Sequence, residues 1–89
     1  MALTSAKRDG EIYMDGVCFC MRLGAQDRVV HVTRQTLHDS EDVPFVPFDE
    51  LVRFRAHRER FEQIARDKYE RGAIQDDGSI RIINGDLNA

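Results

Sequence analysis

Apolar and polar positions alternate with a period of two through Val17-Cys18-Phe19-Cys20-Met21-Arg22-Leu23, and again through Arg28-Val29-Val30-His31-Val32-Thr33. That is the period of an extended strand with one buried face. A shorter run, Glu11-Ile12-Tyr13-Met14, comes before them and is followed by Asp15-Gly16. Asp-Gly between two such runs predicts a hairpin, because a type I′ turn needs positive φ at both central residues. Centred there, the turn sets Met14 opposite Val17 and Ile12 opposite Phe19. A second turn over residues 24–27, centred on Ala25-Gln26, sets Met21 opposite Val30, Phe19 opposite Val32 and Cys20 opposite His31. One sheet face then carries Val17, Phe19, Met21, Val30 and Val32. The other carries Cys18, Cys20, Arg22, Val29 and His31. One apolar and one mixed face is the pattern of an antiparallel sheet wetted on one side.

The period then changes. Thr33 is placed to cap a short helix over residues 34–39, whose one large apolar residue, Leu37, is predicted to plug the core. Residues 40–48 hold Pro44 and Pro47, each of which bars helix for the residue before it, so this stretch reads as a loop. From residue 49 to residue 71, Leu51, Phe54, Phe61, Ile64, Ala65 and Tyr69 recur at steps that form one helical stripe. Asp49 serves as N-cap, and Gly72 supplies the stop. A single helix of that length is about 33 Å long, roughly the width of a compact chain of this size. It is therefore expected to cross the whole domain on the apolar sheet face. Asp76-Asp77-Gly78 turns the chain into a last strand, Ser79-Ile80-Arg81-Ile82-Ile83-Asn84. The first ten residues are polar and small, and are expected to be flexible.

These elements predict an α+β fold. An antiparallel sheet of three to four strands packs on one long helix in the C-terminal half, with a short helix beside it. Residues 11–89 form one domain, since 89 residues leave no room for a second. Hydrophobic residues at 42% and charged residues at 33% exclude a disordered chain. No run approaches the ~20 apolar residues of a membrane span. Nothing near the N-terminus reads as a signal peptide, so the cytoplasm is the expected compartment. There, Cys18 and Cys20 are expected as reduced thiols. Thirteen basic and sixteen acidic residues give a net charge of −3, which does not indicate a general affinity for nucleic acid.

Candidate chemistry is sparse. Cys18, Cys20 and His31 could converge on one face, but the chain has no second cysteine pair at zinc-site spacing, so no metal site is predicted. A Cys20–His31 pair could activate a thiolate only with an orienting acid, an oxyanion donor and a pocket. A core this small leaves little concavity, so cross-strand packing is the preferred reading. Phosphate loops and the common hydrolase motifs are absent. No catalytic residue and no cofactor are assigned. His57 and Arg58 fall on the two edges of the helical stripe. Such residues commonly cover the core with their stems and bond outward with their heads; the alternative is an anion-binding pair. Arg53 begins a cluster of arginines in the same helix, whose charges are otherwise interleaved with acids. Phe45 and Phe48 in the proline loop would form a sticky patch if exposed.

The helix pattern Phe54, His57-Arg58, Phe61-Glu62, Ile64-Ala65 and Lys68 carries a further signal. Together with Val17-Cys18-Phe19, Val30-His31-Val32-Thr33, Leu37, Asp39, Gly72, Ile80-Arg81-Ile82 and Asp86, it resembles a family of small bacterial proteins known as domain of unknown function 1488. The resemblance implies a single small intracellular α+β domain without established activity or cofactor. Some members carry the label of regulator, which no residue here supports.

The expected function is therefore a non-enzymatic cytosolic module that binds another protein or a second copy of itself. His57, Arg58, Arg53, Phe45 and Phe48 are the candidate binding residues. Two rival readings follow it: a regulator touching nucleic acid through the arginine-rich helix, and, last, a thiol enzyme using Cys20 and His31.

Overall fold

A computed structural model describes residues 3–6, 9–13, 16–39 and 50–88. The two alternating runs form its two long strands. We number the strands β1 (Thr4–Ser5), β2 (Glu11–Tyr13), β3 (Gly16–Leu23), β4 (Gln26–Thr33) and β5 (Ile80–Ile82). β3 and β4 are antiparallel, with Leu23 opposite Gln26, Phe19 opposite Val30 and Val17 opposite Val32. The turn thus falls on Gly24-Ala25, one residue earlier than the Ala25-Gln26 centre, and every pairing moves by two. Gly24 is the cause. Its φ of 63° suits the first central position of a tight hairpin turn, where side-chain-bearing residues are strained. A shift of two leaves each side chain on its own face. Val17, Phe19, Met21, Val30 and Val32 accordingly all lie in the core. The neighbours do change: His31 stands opposite Cys18, and Cys20 stands opposite Val29. The expected Cys20–His31 pair is not formed.

The first hairpin is corrected in the same way. β2 pairs with β3 so that Tyr13 faces Gly16 and Ile12 faces Val17. Met14, expected opposite Val17, lies outside the described residues. Gly16 is a strand residue here, not a turn centre. A Cβ at Gly16 would lie 1.9 Å from the Val32 carbonyl oxygen, so close approach of two backbones demands the glycine. The N-terminal arm, expected to be flexible, supplies β1, which pairs with Met21 and Arg22 of β3. Its Leu3 is buried in the core. One isolated apolar residue has no periodicity to announce it. β1 and β2 both pair with β3 along the edge away from β4, and β5 lies outside β4.

β5 runs parallel to β4, so the sheet is mixed, not wholly antiparallel. The intervening helices provide the crossover that a parallel pair requires. These are α1 (Arg34–Asp39), α2 (Glu50–Ala56) and α3 (Arg58–Glu70). Thr33 caps α1 as expected: the Thr36 amide donates to its hydroxyl at 3.3 Å, and Leu37 is buried. The single helix over 49–71 is replaced by α2 and α3, which meet at His57. There φ is −119° and ψ is 20°, and the His57 amide is shared between the carbonyls of Arg53 and Phe54, both at 3.2 Å. Phe54 and Phe61 stand seven residues apart. A straight helix would separate them by ~10.5 Å along its axis. Across the joint their rings are parallel to within 6° with centroids 6.2 Å apart. α3 ends as the glycine predicts, with Ala73 donating to the Lys68 carbonyl at 2.8 Å and Gly72 to Tyr69 at 3.1 Å.

The fold is α+β, with the described helices packed on one face of the sheet. Leu37 of α1, Phe54 of α2, and Phe61 and Ala65 of α3 share one core with the apolar sheet residues. A closing 3-10 helix, Asn84–Asn88, was not expected from the sequence.

Phe54 is fully buried and its ring lies 4.8 Å from that of Phe19. Phe54→Ala should lower the unfolding free energy by about 3–5 kcal/mol in urea titration. Val52, 63% exposed on the same helix, should change it by less than about 0.5 kcal/mol when replaced by alanine.

Candidate functional site

The residues singled out in the helices turn inward. Arg58 lies over two rings, 5.6 Å from the Phe19 centroid and 5.3 Å from that of Phe54. Its Nε donates to Glu62 at 3.4 Å, and its buried Nη2 has no hydrogen-bond partner among the described residues. Arg53 is 3% exposed. His57 is half-buried at the helix joint. Phe45 and Phe48 lie outside the described residues. His57 and Arg58 therefore sit together at the joint, with Arg58 packed on the core.

Other arginines of the helices bond to the chain as well, three of them to distant segments. Arg55 makes a double contact with Asp9. The hydrogen bond from Arg55 holds the Asp9 carboxyl below its usual range. Arg66 Nε donates to the Leu3 carbonyl and Arg60 Nη2 to the Leu87 carbonyl, each at 3.0 Å. Arg71 Nε donates to the Asp67 carbonyl at 3.3 Å.

Lys68 makes a more buried tie. Its Nζ reaches the Arg81 carbonyl at 2.7 Å and Asp86 Oδ2 at 2.8 Å. The same Asp86 oxygen accepts the Ile83 amide at 2.9 Å. Burial alone would raise the Asp86 pKa, but the hydrogen bonds from Lys68 and Ile83 and the charges of Lys68 and Arg71 outweigh it, and its carboxyl is held low. The cluster fastens the end of β5 and the closing 3-10 helix to α3.

What remains open is the far face of the sheet. Cross-strand register places Glu11 of β2, Cys18 of β3, His31 of β4 and Arg81 of β5 in one row. They line an open hollow of about 790 Å³ together with Tyr13, Cys20 and Val29. Its rim includes the turn 75–79, where Asp77 accepts the Ser79 amide at 2.9 Å and hydroxyl at 2.6 Å. The Tyr13 ring meets His31 edge-on, with centroids 5.9 Å apart. Tyr13 is 52% exposed and Val29 46%, both large for apolar side chains on a sheet. Burial, with smaller contributions from Cys20 and Glu11, pushes the Cys18 thiol up, so Cys18 stays protonated at neutral pH. Among the described residues no group of His, Cys, Asp and Glu is arranged to hold a metal ion. Sequence reasoning assigned Cys18, Cys20, Val29 and His31 to this face but did not single out Glu11 or Arg81. Only strand order and register bring those two onto one row.

The chain matches the family model described as protein of unknown function (DUF1488) over residues 11–82, and it belongs to that family. The match runs from β2 to the end of β5. No curated protein and no solved structure matches.

Two measurements check this geometry. A carboxyl held low in the folded state contributes stability above its unfolded pKa, near pH 4, and loses it as pH falls through the folded value. Asp86→Ala should thus cost about 2–3 kcal/mol at pH 7 and less at pH 3, read by thermal unfolding at both. Alkylation of Cys18 by iodoacetamide at pH 7, followed by peptide mass spectrometry, should run slower than that of free cysteine and accelerate only in alkali.

Proposed function

We propose that the chain is a non-enzymatic protein-binding module of the cytoplasm whose working surface is the uncovered face of the sheet. The observation that carries this reading is the hollow on that face. It presents Tyr13 and Val29 to solvent between charged margins, and the described helices all join the core on the other side. A large apolar side chain exposed at the centre of a polar-rimmed patch is characteristic of a contact surface.

The rival readings have less support. A thiol enzyme needs a thiolate beside a base, whereas burial holds Cys18 protonated and Cys20 stands opposite Val29. A nucleic-acid contact needs a stripe of available cations. The helix arginines bond to Asp9, Leu3, Leu87 and Asp67, or pack on phenyl rings.

A photo-crosslinking amino acid at Val29, installed in the full chain in cells, tests the reading. Protein adducts should form from position 29 and not from position 52, which is more exposed but lies on α2. Absence of adducts at 29, or the same adducts from both positions, would overturn it.

A further inference from the structure

We propose that the protein seated on the open sheet face is a second copy of this chain, in a two-fold symmetric dimer. The inference rests on the reading of that face as a binding surface and adds its occupant. The charge order of one row carries it. Glu11, Cys18, His31 and Arg81 stand side by side across β2, β3, β4 and β5. At ~4.8 Å per strand, Glu11 and Arg81 are about 14 Å apart, too far to pair within one chain. Neither side chain makes an ion pair with a described residue. Within this row one end is therefore acidic and the other basic, while Asp77, ahead of β5, adds an acid to the rim on the Arg81 side.

A two-fold axis that lies between two stacked faces, parallel to their strands, exchanges the ends of this row. Glu11 then lies over Arg81 of the second copy, and Arg81 over its Glu11. At the centre, Cys18 faces His31 of the second copy. The row is thus its own complement, which is what an interface between identical surfaces requires. Twisted sheets stack face to face with their strands roughly 30° apart. In that arrangement the exposed Val29 of each copy is covered by the other's hollow. The β3–β4 pair is about 26 Å long at strand rise, so the face amounts to on the order of 400 Å² per copy. A standard interface takes about 800 Å² per partner, so this dimer is weak and depends on concentration.

Sedimentation velocity on the full chain, from about 10 μM to about 1 mM, tests it. The wild-type chain should shift from monomer to dimer. Glu11→Arg and Arg81→Glu each place like charges opposite one another at both ends of the row. Each alone should raise the dissociation constant about tenfold or more. An equal mixture of the two variants should associate as strongly as wild type, because every contact is again acid to base. Both positions are exposed, so neither variant is expected to disturb the fold. A strictly monomeric wild type, unchanged association in the single variants, or a mixture no tighter than either alone would overturn the dimer. If the wild type is monomeric while position 29 crosslinks a different protein, the binding face stands and the second copy falls. If position 29 gives no adduct either, both readings fall.

Discussion

The packing of the tilted Phe19 ring against Phe54, and the stacking of Phe61 on Phe54, is the contact on which the rest of this structure depends. The ring centroids lie 4.8 Å and 6.2 Å apart, and both helix residues are fully buried. Rings at these distances bring dispersion and burial together, and few side chains supply as much apolar area per residue. The stack seats α2 and α3 on the face that carries Val17, Met21, Val30, Val32, Ile80 and Ile82. The joint at His57 belongs to the same arrangement, because the two rings on either side of it face one another across the bend. The core formed this way lies entirely on one side of the sheet. The other side keeps its half-buried thiols and imidazole and its exposed Val29. One-sided burial is therefore the physical origin of the surface we assign to binding.

Polar contacts work around that stack. Arg58 roofs the Phe19 and Phe54 rings, which gives a cation a place inside the fold at the expense of its reach outward. Arg55, Arg60 and Arg66 bond to Asp9, Leu87 and Leu3, so the helices hold both ends of the chain. Lys68 and Asp86 join α3 to the end of β5 with partly buried, charge-assisted bonds. A small domain has a thin core, and such ties extend it to segments that contribute few apolar side chains. Basic residues clustered in a helix thus need not face a polyanion. Here their partners are carbonyls and acids of the chain's own termini.

The open face differs from the helix face in kind. Its charges are arranged by strand order: the acid comes from the first hairpin and the base from the last strand. Family membership extends over residues 11–82 and so contains the whole Glu11-to-Arg81 row. The Lys68–Asp86 tie reaches beyond the matched segment, through the closing 3-10 helix.

The sequence by itself determined the elements and the faces. Side-chain parity along β3 and β4 sorted core from far face correctly even though both turns were misplaced, because a register shift of two preserves parity. Thr33 as cap, Leu37 as plug and Gly72 as stop were legible for a similar reason: each acts on residues within a few positions of itself. The tertiary structure decided what depends on distance in space. Leu3 has no periodic neighbours to mark it, and the parallel pairing of β5 depends on where two helices deliver the chain. The joint at His57 accompanies the meeting of two rings with a third from the sheet. Periodicity records which way a side chain points relative to its neighbours in sequence. It carries no information about what stands opposite, and so the row from Glu11 to Arg81 exists only once four strands are laid side by side.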